Sequence, residues 1–188
     1  MAIEVHPVTP DRWDDLARLF GPSGAYSGCW CMWWRESAKD FERNGNAGNR
    51  RAMRSLVRDD RVPGMLAYRD GQPVGWVSVA PRREFPRIER SPTLKPVDDR
   101  PVWSVVCFFI DKGHRRSGVA RSLLRAAVDR AAENGARLVE AYPVDPRERD
   151  YPDAEAYTGV VPLFEAAGFR EVARRGKRPI LRRAVRRR

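Results

Sequence analysis

Residues 108–124 read Phe-Phe-Ile-Asp-Lys-Gly-His-Arg-Arg-Ser-Gly-Val-Ala-Arg-Ser-Leu-Leu: an apolar run, a short basic turn and the start of an amphipathic helix in unbroken succession. The first amides of a helix have no partner within it, and the helix dipole adds partial positive charge there. A buried strand feeding such a helix start therefore builds a site for a phosphate or pyrophosphate. Gly118 lets the backbone approach an anion closely, Ala120 keeps the first turn narrow, and Arg115, Arg116 and Arg121 add charged donors. The bland alternative is a solvated, merely basic helix start. No Gly-Lys-Ser/Thr follows, which excludes a Walker-type nucleotide loop. The Gly-x-Gly-x-x-Gly of a dinucleotide fold is also missing.

A second cluster, Cys29-Trp30-Cys31-Met32-Trp33-Trp34-Arg35, gathers three tryptophans within five positions. Such surface either packs helices onto a sheet or walls a pocket, and the face of a tryptophan attracts cations such as a protonated amine. His6 and His114 are the only histidines and there is no second cysteine pair, so no metal site is expected. Without a histidine partner, Cys29 is not expected to act as a nucleophile.

The elements that position these residues follow from periodicity. Residues 3–8 alternate as an opening strand, and Pro10 then starts a helix whose apolar stripe is Trp13, Leu16, Ala17, Leu19 and Phe20. A second helix is predicted over residues 46–59. Asp70-Gly71 lies between two apolar runs, a strong hairpin signal. Residues 81–101 hold five prolines and read as a long excursion between strands, functional or mobile. Residues 102–110 are apolar on both faces, as a central covered strand is. The best helix covers residues 118–134 and ends before Gly135, which suits a left-handed cap. A short strand at 138–142, a short helix at 163–167 and a hairpin from 169 to 183 complete the order. That order predicts one α/β (α+β) domain over residues 1–188, with no internal linker.

Hydrophobic and charged fractions of 42% and 32% suit a folded soluble chain with a core of its own. No apolar run approaches the ~18–20 residues of a membrane span, and the start lacks the basic and apolar regions of a secretory signal. Three cysteines, an odd number, make no disulfide framework, and a reducing, cytoplasmic setting is expected. The net charge of +11 is concentrated: nine lysines and arginines lie in residues 174–188, with no acid after Glu171. That segment reads either as a solvated, frayed end or as a contact for an anionic partner, RNA included.

The segment Arg115-Arg116-Ser117-Gly118-Val119-Ala120 resembles the acyl-CoA signature of the GNAT superfamily: Arg or Gln, two residues, Gly, one residue, Gly or Ala, between the fourth strand and the third helix. Leu163-Phe164-Glu165-Ala166-Ala167-Gly168-Phe169 is similar to that family's short helix ending in Gly-Phe. The resemblance covers residues 102–173 most firmly. It implies a mixed, mostly antiparallel sheet of six to seven strands, helices on both faces and a splay between the fourth and fifth strands. It also implies N-acylation of a primary amine on a small molecule or peptide, with acetyl-CoA as acyl donor.

By the same resemblance, amides from Arg116 to Arg121 meet the coenzyme pyrophosphate, and the backbone of Phe108, Phe109 and Ile110 pairs with the pantetheine arm. The Phe109 or Ile110 amide faces the thioester carbonyl. Phe164, beside the coenzyme, stands where the family usually has a tyrosine acid. Tyr157 is the first substitute candidate, beside Thr158 or water, with surface aromatic or pocket wall as its other reading. Glu140 is the first candidate base, ahead of Glu84, Glu89 and Asp145. Trp30, Trp33, Trp34 and Arg35 fall where the family shapes its acceptor site. A non-catalytic acyl-CoA sensor, an RNA-associated module and a homodimer are left open by the sequence.

Overall fold

The computed structural model describes residues 2–148 and 153–186. Seven strands form one sheet in the order β1-β2-β3-β4-β5-β7-β6. They are β1 (Glu4–Pro7), β2 (Gly64–Arg69), β3 (Gln72–Pro81), β4 (Trp103–Ile110), β5 (Leu138–Ala141), β6 (Arg170–Arg175) and β7 (Arg178–Ala184). Every pairing is antiparallel except β4 with β5. The β2–β3 hairpin turns at Asp70 and Gly71, whose φ angles of 51° and 73° are the two positive values a tight primed turn demands.

Strand alternation sends successive side chains to opposite faces. Met65, Ala67, Val77 and Val79 join one core with α4 (Val119–Glu133) and α5 (Val161–Ala166). Leu66 and Trp76 join another with α1 (Trp13–Phe20) and α2 (Ala38–Arg58). The second helix thus begins well before Asn46. Ser37 caps it by accepting a hydrogen bond from the Asp40 amide at 3.1 Å, and it kinks at Gly45, where φ is 55°. The periodicity over 46–59 is that of the segment after the kink.

β4 and β5 pair over only three rungs, Trp103↔Val139, Ser104↔Glu140 and Val105↔Ala141. β5 ends there while β4 continues to Ile110, so the two strands part and the β5-facing edge of residues 106–110 is open within the sheet. At the same level β4 holds one residue more than β3. Cys107 pairs with Ser78 and Val105 with Val79, and Val106 has no counterpart. This bulge re-phases the strand: Val105 and Phe108, three apart, share a core, while Cys107 and Phe109 face the other side.

Two expectations are corrected. The excursion after β3 is a cover, since Phe85, Ile88 and Leu94 are buried over Val106, Tyr142 and Ile180; it includes the short helix α3 (Pro86–Glu89). As far as Ala184 the basic C-terminal segment is no frayed end, because β7 is an interior strand between β5 and β6. Its charges have partners: Arg174 binds Glu171 and Asp145, Arg175 donates to the Lys95 and Pro96 carbonyls, and Arg182 binds Glu140 and Asp98. No described helix is long and apolar enough to cross a membrane.

Both structural changes meet at Glu140, which is wholly buried. Its oxygens accept from Arg82 Nη1 at 2.8 Å, Arg182 Nε at 2.6 Å and the Tyr142 hydroxyl at 2.6 Å. Arg82 also donates to the Leu94 carbonyl at 2.6 Å, tying the cover to the sheet. Removing one partner of a buried ion pair leaves uncompensated charge. Glu140→Ala is therefore expected to cost about 3–5 kcal/mol, seen as a lowered urea midpoint with an unchanged slope.

Candidate acyl-coenzyme site and acceptor cavity

Beyond Ile110 the chain makes a basic turn held by its own side chains. Asp111 Oδ1 accepts from the Gly113 amide at 3.0 Å and lies 3.0 Å from His114 Nδ1, and that histidine contact lowers the pKa of the Asp111 carboxyl. Ser117 Oγ donates to the His114 carbonyl at 2.6 Å, and Arg69 Nη2 donates to the Ser117 carbonyl at 3.2 Å. Arg116 and Gly118 have φ of 58° and 87°, so the chain enters α4 through left-handed backbone. No side chain caps the helix at Gly118.

A Cβ built on Gly118 meets only Ile3 Cδ1, at 4.0 Å, so the space before the helix start is open. Arg115, Arg116, Ser117, Gly118 and Arg121 are all exposed there, while Val119 is buried and Ala120 half-buried. The helix reaches this position because Gly75 on β3 has no side chain. A Cβ at Gly75 would lie 2.6 Å from Val119 Cγ1 and 3.0 Å from Leu123 Cδ1. Uncapped amides, left-handed glycine, open space and three arginines fit a pyrophosphate.

On the α1–α2 side of β4 lies an apolar cavity of about 310 Å³. Trp33, Trp34, Phe41, Phe109 and Tyr157 form much of its wall. All three cysteines, Cys29, Cys31 and Cys107, line it as well, as free thiols. Cys31 Sγ accepts from Trp76 Nε1 at 3.2 Å, and the Cys31 contact, together with burial, raises the pKa of Cys107. Among the described residues no three His, Cys, Asp or Glu side chains gather as metal ligands would. Tyr157 stands against Trp34 at 6.5 Å between ring centres, and burial raises its phenol pKa, so it stays protonated at neutral pH.

The structure brings Phe108, Phe109, Trp33, Trp34 and Tyr157 together around this cavity, and Ile110 leads from it to the basic turn. It places other candidates elsewhere. Glu140 sits in its buried ion cluster, its oxygens taken by two guanidiniums and a phenol, and does not reach the splay as a base. Glu84 is bound by Arg35 and Arg61, Glu89 by Arg82, and Asp145 by Arg147 and Arg174. The two guanidiniums hold the Asp145 pKa down to about 2, with the Arg147 hydrogen bond the largest cause.

Trp30 is a core residue: 3% exposed, stacked on Trp13, with its Nε1 donating to Asn46 Oδ1 at 2.6 Å. Arg35 is spent on Glu84 and the Pro63 carbonyl, its guanidinium over the Phe85 ring. Phe164 is fully buried between Phe108 and Phe169 and presents no surface to a ligand. Sequence reasoning passed over the cysteines as cavity residues. Alternation of Cys107 and Phe109 along β4 was the signal available, but the Val106 bulge hides its phase.

With this geometry in view, comparison with known proteins is direct. The Acetyltransferase (GNAT) family matches residues 30–152, well over half of the sequence. The chain belongs to that family. No curated protein matches it by sequence. Among solved structures it is similar to the PaiA N-acetyltransferase of Thermoplasma acidophilum in complex with coenzyme A, at 12% identity and TM-score 0.55, covering 98% of this chain and 100% of that one. It is also similar to ribosomal-protein-alanine N-acetyltransferase from Brucella melitensis, at 17% identity and TM-score 0.54, covering 97% and 99%. A third is diaminobutyrate acetyltransferase EctA from Paenibacillus lautus, with its substrate and coenzyme A, at 15% identity and TM-score 0.52, covering 96% and 93%. At these identities the likeness shows a shared fold.

Gly118→Glu puts a carboxylate and a strained left-handed residue where the anion would sit. Its Cβ meets no crowding atom, so the stability cost is expected to stay near 1–3 kcal/mol. Affinity for coenzyme A is expected to fall at least about tenfold, one unit charge at close range being worth that much or more, as read by isothermal titration.

Proposed function

We propose that the protein transfers an acyl group, acetyl by first expectation, from acyl-coenzyme A to a primary amine within a ternary complex. The observation that carries this reading is the continuity of β4, its open edge beyond Val105, and the uncapped helix start at Gly118. The pyrophosphate takes the amides from Arg116 to Arg121, with Arg115, Arg116 and Arg121 supplying charge. The pantetheine arm runs back along the free edge of Phe108, Phe109 and Ile110 as an added strand. At about 3.3 Å per residue, three residues of β4 carry that arm about 10 Å towards the cavity wall at Cys107 and Phe109.

The acyl carbonyl is met by the Ile110 amide, which faces away from β3 and is a donor aimed where charge develops. The amine nitrogen forms the new bond to the acyl carbon and gives up a proton, the carbon–sulfur bond breaks, the departing sulfur takes a proton from a donor, and the proton lost by the amine restores that donor through solvent. We assign the supply of the sulfur's proton to Tyr157, a reading supported by its position in the cavity wall and its protonated phenol. Phe164, buried in the core, cannot supply it.

Titration of the protein with acetyl-CoA tests the reading, with micromolar binding expected; no heat at concentrations up to about 1 mM overturns it. Tyr157→Phe is expected to lower kcat about a hundredfold or more while leaving coenzyme affinity unchanged. An unaltered kcat would remove Tyr157 from the proton's path.

A further inference from the structure

The cavity beside β4 has a definite chemical character. Its described lining residues include no carboxylate, imidazole, lysine or arginine side chain. One ring face able to hold an ammonium ion, that of Trp33, is already used. The Arg87 guanidinium lies 3.8 Å from the centre of the Trp33 ring and 5.7 Å from that of Phe41, two lining residues. Arg87 makes no ion pair among the described residues; its Nε donates to the Glu36 carbonyl and its Nη2 is buried without a partner. Trp30 is likewise covered, by Arg50 on its face and by Trp13. A cationic acceptor entering here would lose its water and approach the Arg87 guanidinium, with no described carboxylate at the wall to compensate.

An apolar cavity of about 150 Å³ holds one benzene ring, so about 310 Å³ accommodates one ring system with its substituents. The walls offer ring faces and edges from Trp33, Trp34, Phe41, Phe109 and Tyr157, which suit stacked and edge-on aromatic contacts. Trp34 adds a buried indole N–H without an acceptor among the described residues.

We infer that the acceptor is a compact aryl amine that enters as the neutral base, and not a polyamine, an aminoglycoside or a lysine side chain. This rests on the acyl-transfer reading above and names the substrate class of the same site. An aromatic amine delocalises its lone pair into the ring and is unprotonated at neutral pH, so it needs no general base to become a nucleophile. Transfer then leaves one proton on the nitrogen to be lost as the bond to the acyl carbon forms. That proton is matched by the one the departing thiolate takes up.

Two arms test this, using 4-methoxyaniline, putrescine and Nα-acetyl-lysine as probes. The first omits coenzyme. All three cysteines of the chain line the cavity, so an occupant should slow their alkylation by N-ethylmaleimide. The aryl amine is expected to protect saturably and the two cationic amines not to. The second adds acetyl-CoA and follows acetylated product by chromatography. The expected kcat/KM favours the aryl amine by about tenfold or more and is flat from about pH 6 to about pH 9. Tyr26→Ala, at an exposed lining position, and Trp34→Ala are both expected to raise KM for the aryl amine without changing coenzyme affinity. Protection without product counts against acyl transfer and leaves the cavity assignment standing. No protection by the aryl amine, or equal or better turnover of putrescine or Nα-acetyl-lysine, overturns the inference.

Discussion

Where β4 and β5 separate, a single buried carboxylate holds four pieces of chain in register. Glu140 on β5 binds Arg82 from the end of β3 and Arg182 from β7, and Arg82 in turn holds Tyr142 and the Leu94 carbonyl of the excursion. Such a cluster gains little net stability over apolar residues of the same shape. Its effect is geometric. It closes the sheet on one side of Val105 and leaves the other side open, and every functional proposal made for β4 depends on that boundary. The Val106 bulge falls at the same level and turns Cys107 and Phe109 towards the cavity, so position and aim are set together.

The open edge and the cavity divide the work along one strand. Backbone groups of Phe108 and Ile110 face the open edge, while the side chains of Cys107 and Phe109 face the cavity. A strand can do both because its hydrogen-bonding groups and its side chains lie at right angles. The charged turn beyond Ile110 lines no part of the cavity, so one strand joins an apolar space to a strongly basic turn.

Much of this was legible in the sequence, and what was not has a physical reason. The strand–turn–helix of residues 108–124 and the Asp70-Gly71 hairpin follow from local signals, an apolar run, a left-handed dipeptide and a helical stripe, while the sheet with its splay follows from the family resemblance. The basic C-terminus misled because charge was read as exposure. Arg182 is buried, and its partners Glu140 and Asp98 lie far away in sequence, where no local pattern points to them. Glu140 misled for the matching reason, since alternation gives the face of a residue and not the partner waiting there. The aromatic cluster was divided by the fold: Trp30 turned into the core through left-handed backbone at φ 45°, Trp33 and Trp34 to the cavity. Nothing in composition separates those three tryptophans.

The contact of Gly75 with Val119 and Leu123 gives the coenzyme turn a second genetic address. The turn is spelled by residues 115–121, yet the seat of its helix on the sheet is spelled by a missing side chain in the β2–β3 hairpin. Any lineage that drifts at Gly75 must move the helix start, and its amides with it, even if the signature stays intact. A constraint on the basic turn therefore reaches into a hairpin outside the motif. Such a protein can lose its donor site while every residue of the motif remains in place.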